Sequence, residues 1–193
     1  VAHRQENPVK FLVGCIMGGA LVLGTFGGER EPEEVYECDH EHGGILLFGP
    51  SNSFEKAING LTGMGGYSHV GLLLGLTDKD GKQLLVDAQP QGVRAIPIDL
   101  YDGRKAVIVP LDERTLAHAR GAALGRLGRP YRGGHNRNGL SCGELVYHCM
   151  PRALQGKIKM QGSFPTPNSI AKAFGIETPP TETVGELTKK LKF

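Results

Sequence analysis

Cys142, His69 and Asp87 are the residues of this 193-residue chain whose types and settings suit thiol chemistry. In "NGLSCGELVYHCM", residues 138–150, Leu145, Val146, Cys149 and Met150 recur at helical spacing, and Pro151 marks the stop. Ser141 followed three residues later by Glu144 is a capping-box pattern, which predicts a helix starting at Cys142. A helix N-terminus carries roughly half a positive charge and unpaired N–H groups, so a thiol there is biased toward thiolate. Cys149 falls within the apolar stripe and reads as a small core residue. Cys142 is therefore the candidate nucleophile. His69, in "GGYSHVGLLL", offers a base on a strand whose alternation puts Tyr67, His69, Gly71 and Leu73 on one face. Asp87, in "LLVDAQP", offers a carboxylate to fix the imidazole tautomer. In such a set the histidine takes the thiol proton, and N–H groups at the helix start stabilise the oxyanion.

Position depends on the elements around these residues. "GGILLF", "YSHVGLLLGL", "KQLLVDA", "VRAIPIDL" and "KAVIVPL" read as strands, and "TDKDG" as the turn of a hairpin joining the second to the third. If that hairpin centres on Asp78, Asp87 lies opposite His69. A tight turn at Asp80-Gly81 would put Gly92 there instead, so register decides whether the carboxylate reaches the imidazole. "SNSFEKAINGLTG" and "DERTLAHARGAALGRLG" read as capped helices, the second starting from an Asp cap. "GRPYRGGHNRNG" reads as a loop at the rim of the site. Residues 166–193 carry a Pro-rich break and a basic end, "LTKKLKF", expected to be solvated.

The 22 basic and 20 acidic side chains are interspersed and the formal net charge is +2, which sets nucleic acid aside as a partner. Residues 11–26, "FLVGCIMGGALVLGTF", form an uncharged apolar run preceded by Arg4 and Lys10 and followed by the acidic "GEREPEE". That asymmetry suggests export, with a membrane anchor and a signal-peptide core as competing forms. The run is slightly short of the roughly 20 residues a spanning helix needs, and a buried glycine-rich helix or hairpin is the third reading. Residues 28–42 read as an acidic linker, and the folded domain is expected over 43–193. The four cysteines, at 15, 38, 142 and 149, are too few and too scattered for a disulfide framework, and the sequence leaves a single bridge open. Cys38, His40 and His42 alternate as metal ligands could, yet a tetrahedral site lacks its fourth ligand nearby. No metal or other cofactor is expected. His118, His135 and His148 are read as bystanders.

The ordered set "YSHVGLLL", "VDA", "GRPY", "SCGELVY" and "TPNSIA" resembles the circularly permuted branch of the NlpC-type papain-like cysteine hydrolases, close to its YiiX-type members. The resemblance covers roughly residues 43–173, with His69 and Asp87 preceding Cys142 as in the permuted order. It implies an α+β fold, a small antiparallel sheet or half-barrel packed against the cysteine helix. It also implies Cys142 as nucleophile, His69 as base, Asp87 as the third residue, and Tyr67 and Tyr131 as cleft-lining, substrate-binding residues. The chain departs from the usual motif in three places. Gly143 stands where Ser is usual after the cysteine, "DA" where Glu-Ala is usual, and Gly44 where Asp is usual before Ile45.

The expected activity is hydrolysis of amide bonds in peptidoglycan peptides by an exported enzyme, periplasmic or extracellular, either housekeeping or an antibacterial toxin that an inhibitory partner would mask. A lipid acyl hydrolase or acyltransferase of the lecithin-retinol acyltransferase type is the alternative, although that type shows Asn-Cys-Glu-His at its nucleophile. A wall-binding module with an inert cleft is the nonenzymatic reading.

Overall fold

A computed structural model describes residues 35–52, 56–57, 66–132 and 138–190, together with three two-residue strand segments near the N-terminus; side chains are described from residue 43 onward. Those segments are β1 (Phe11–Leu12), β2 (Leu21–Val22) and β3 (Gly24–Thr25). The main strands are β4 (Val35–Phe48), β5 (His69–Thr77), β6 (Gln83–Gln89), β7 (Gly92–Pro97) and β8 (Ala106–Pro110). A 3-10 turn, Ile98–Tyr101, joins β7 to β8. The helices are α1 (Glu113–Leu124), α2 (Cys142–Cys149), α3 (Arg152–Gln155), α4 (Pro167–Ala173) and α5 (Val184–Lys190).

The class is α+β, and the centre is a five-stranded antiparallel sheet in the order β8-β4-β5-β6-β7. Ile45, Leu46, Leu47 and Phe48 are all buried, so β4 is covered on both faces. That is why these strands read as unbroken apolar runs and not as alternation. One face carries Ile45, Leu47, Val70, Leu72, Leu74 and Val86 against Ala119 and Ala123 of α1 and Leu145, Val146 and Cys149 of α2. Leu46, Phe48, Leu73 and Leu85 occupy the other, under Ile98 of the 3-10 turn and Val184 of α5. Burial of each large aliphatic chain stabilises the fold by about 1.5–3 kcal/mol relative to exposure.

Asp112 caps α1 as expected, accepting from Thr115 N at 2.9 Å. Strand β4 begins at Val35, so it runs through part of the stretch read as an acidic linker, with a bulge between Cys38 and Gly43. In the apolar run, Phe11–Leu12 pairs antiparallel with Gly24–Thr25, and Leu21–Val22 pairs with Val35 and Tyr36 of β4. Among the described residues no helix is long and apolar enough to cross a membrane. The rest of that run, most of the helix expected at 51–63, and the side chains of Cys38, His40 and His42 lie outside the described residues. Helix α5 is anchored by the fully buried Val184, and Lys189 and Lys190 of the basic end are exposed on it.

Candidate active site

The capping box at the start of α2 is closed. Ser141 Oγ accepts from Glu144 N at 3.3 Å, and Glu144 Oε2 accepts from Ser141 N at 2.9 Å. Glu144 is buried, and the same oxygen lies 3.1 Å from Arg132 Nε, so its charge is paired. With Glu144 N engaged by Ser141, the N–H groups of Cys142 and Gly143 are the first-turn donors left without an intrahelical acceptor. The Cys142 thiol at this helix start is half-buried.

His69 is the first residue of β5 and sits at the rim of the sheet. Its position is fixed from the residues before it. Asn168 of α4 clamps the Tyr67 backbone, accepting from Tyr67 N at 3.2 Å and donating to Tyr67 O at 2.9 Å. Asp87 lies near the end of β6. The pairs Leu72↔Val86 and Leu73↔Leu85 extend to place Gly71 beside Asp87 and His69 one step along the diagonal. Neither register expected from the turn residues holds: Thr77 pairs Gln83 beside the turn, and the ladder then shifts between Leu73 and Thr77. The diagonal still places both side chains on one face, within reach of each other.

His69 Nε2 lies 2.7 Å from Asp87 Oδ1, with the carboxylate fully buried and the imidazole 16% exposed. Neither atom makes a regular hydrogen bond elsewhere among the described residues, so this ion pair is what satisfies both. The imidazole also hydrogen-bonds Cys142, which leaves Nδ1 as the nitrogen for the sulfur. Burial disfavours the imidazolium, but the hydrogen bonds and charge interactions with Asp87 and Cys142 outweigh it and raise His69 to about 10. Burial also penalises the Asp87 carboxylate, yet His69, Tyr101 and Gln89 hold it below the usual carboxylate range. The His69 imidazole is thus held between the Asp87 carboxylate and Cys142.

Asp87 Oδ2 accepts from Tyr101 OH at 2.5 Å and from Gln89 Nε2 at 2.9 Å. Arg94 Nη2 donates to Gln89 Oε1 at 3.1 Å behind them. Tyr101 packs on Phe48 with ring centroids 4.7 Å apart, and Phe48 in turn lies 5.5 Å from the His69 ring. The sequence offers no local sign of Tyr101, which reaches Asp87 only because the 3-10 turn folds back over β6. Gln89 was within reach of sequence reasoning, since it lies two residues from Asp87 on the same strand face.

Tyr131 is bridged to Leu140, one residue before the N-cap of the cysteine helix. Burial raises its pKa, and the charges of Cys142, Asp87 and Glu144 add to the rise. Tyr67 departs from its expected place in a cleft. It is only 4% exposed, its hydroxyl donates to Thr178 O at 2.6 Å, and it packs with the core on the α1–α2 side of the sheet. Strand geometry starts only at His69, so alternation does not extend back to residue 67. His118 and His148 are exposed on their helices, and His135 lies outside the described residues. Cys149 is fully buried and its thiol is pushed up to about 12 by that burial.

Two departures from the usual motif have a steric cause. A Cβ on Gly143 would stand 2.1 Å from Pro165 O, and one on Gly44 would stand 2.3 Å from Val109 O. Backbone passes where a side chain would go, so Ser at 143 and Asp at 44 are excluded here. Among the described residues no cluster of His, Cys, Asp and Glu is arranged to hold a metal ion. No protein-family model matches this chain, and no curated protein is detectably similar to it.

Proposed function

We propose that this protein is a thiol hydrolase of amide bonds, acting on peptidoglycan peptides through Cys142, His69 and Asp87. The observation that carries the reading is the 2.7 Å His69–Asp87 pair with Cys142, at the start of a capped helix, on the other ring nitrogen. A buried carboxylate fixes which nitrogen faces the sulfur, and the helix start supplies N–H donors for a developing oxyanion. The Cys142 thiolate attacks the amide carbonyl carbon. The tetrahedral oxyanion collapses, the C–N bond breaks, and His69 gives its Nδ1 proton to the leaving amine. A water then adds to the thioester carbon as His69 takes its proton, the second tetrahedral oxyanion collapses with cleavage of the C–S bond, and the acid leaves as the starting state of the Cys142–His69 pair is restored.

The finer fold reading is the permuted papain-like one. It rests on the motif order, with the histidine strand ahead of the cysteine helix, and on the α+β sheet that carries both. The exported placement rests on the apolar run at 11–26 and its flanking charges. Lipid acyl transfer or hydrolysis is the second reading. It draws on the exposed apolar side chains Leu100 and Phe164, which neighbour Tyr101 and Pro165 in sequence. Purified peptidoglycan incubated with the full chain, Cys142→Ala and His69→Ala, with mass spectrometry of the soluble fragments, tests the first reading. Fragments from the parent alone support it. None from the parent, with fatty acid released from phospholipid vesicles instead, would transfer the reading to an acyl lipid.

A further inference from the structure

His69 and Asp87 are not directly opposed in the sheet, so their contact depends on how the carboxylate is aimed. On a diagonal, a short aspartate reaches the imidazole in one orientation only, and a buried carboxylate with a free second oxygen would turn toward any other donor. Something must hold Oδ2. Gln89 donates to it, but Gln89 is the last residue of β6, is partly exposed, and is itself tied to the exposed Arg94. Tyr101 is held differently. Its ring lies on Phe48, its carbonyl accepts from Arg104 N at 2.8 Å, and its turn is closed by Asp102 N donating to Asp99 O. Its hydroxyl meets Asp87 Oδ2 at 2.5 Å, and the Gln89 amide also contacts that hydroxyl.

We infer that Tyr101 is a positioning residue for the thiol site: its hydroxyl fixes Asp87 Oδ2 so that Oδ1 stays on His69 Nε2. This rests on the reading of Cys142 and His69 as a catalytic pair. The charged and titratable groups facing the pair are Cys142 from α2, Asp87 from β6, Tyr101 from the 3-10 turn, and Tyr131 from the loop before α2. Arg94, Arg104 and Glu144 stand one contact further out.

The sign of one measurement separates positioning from simple charge sharing. A hydroxyl that only drew charge from Asp87 would, once removed, leave the carboxylate more negative toward His69 and raise the imidazole pKa. A hydroxyl that aims Oδ1 would, once removed, let the carboxylate swing and lower that pKa. We therefore expect NMR titration of the His69 imidazole in the full chain to show a fall of about one pH unit in Tyr101→Phe, the scale of one hydrogen bond to a charged group. Asp87→Asn should show a larger fall. If Phe is not tolerated at 101, Tyr101→Met removes the same hydroxyl with the same expected fall. An unchanged or raised His69 pKa in the Tyr101 variants overturns the inference alone. A His69 that titrates near its ordinary value in the parent, unmoved by Cys142→Ala, would overturn the catalytic pair itself.

Discussion

Gly143→Ala is the substitution whose cost can be worked most directly from the geometry. The added Cβ would lie 2.1 Å from Pro165 O and 2.9 Å from Pro165 C, against an ordinary contact of 3.4–4 Å, and both atoms are backbone. Either the segment leading into α4 or the first turn of α2 must retreat by about 1 Å. Overpacking of this kind costs about 1–3 kcal/mol and sometimes more, while replacing glycine inside a helix returns at most about 1 kcal/mol. A net loss of about 1–2 kcal/mol lowers the melting temperature of a chain this size by about 2–8 °C. Gly121→Ala is the matched control. Gly121 sits in α1 with nothing within 4 Å of the added Cβ, so the helix propensity gain stands alone and the melt rises by about 2–4 °C. Thermal denaturation of the parent and both variants decides it. A shift of about 1 Å in the cysteine helix would also reduce turnover by about a hundredfold. A Gly143→Ala protein that melts at or above the parent would refute the reasoning.

Native alkylation with iodoacetamide followed by peptide mapping should label Cys142 and leave Cys149 untouched, because Cys149 is fully buried and its thiol is pushed up to about 12; equal labelling of both would contradict this. Stability should depend on pH through His69. Its folded pKa of about 10 lies above the ordinary 6.5, so its contribution is complete below about pH 6.5 and lost as pH rises through about 10. Asp87 acts in the opposite sense, contributing above the usual carboxylate range and losing that as pH falls through its depressed value. Urea midpoints should therefore fall between about pH 6.5 and pH 10 in the parent and fall less in Asp87→Asn, and parallel profiles would contradict the pairing. Glu144→Ala opens the capping box and removes the Arg132 ion pair, and should cost about 1–2 kcal/mol in chemical denaturation; a cost near zero would mean that the buried carboxylate carries no weight.

Much of the site was legible because its signals are local. The Ser141–Glu144 spacing announces the capped helix, and Pro151 its end, so Cys142 and Cys149 separate into rim and core before any tertiary information is used. The strands were legible as apolar runs for the same reason, since their burial on both faces is written into composition. Register was not, because it depends on an irregularity between Leu73 and Thr77 that no turn residue announces. Tyr101 and Asn168 were missed as parts of the site for a related reason. Each reaches it from a segment remote in sequence, Tyr101 through a turn folded over β6 and Asn168 across 101 positions to Tyr67. The exclusion of side chains at Gly44 and Gly143 is likewise a property of strands and helices meeting, not of either stretch alone.

The most direct test of a thiol acyl-enzyme is to catch it. The full chain is mixed with purified peptidoglycan stem peptides, quenched in acid during turnover, and its intact mass and peptide map are read. An acyl mass on Cys142, present in the parent and absent from Cys142→Ala together with its hydrolysis, is the expected result. Hydrolysis that persists in Cys142→Ala, or acyl mass on any other residue, would contradict it.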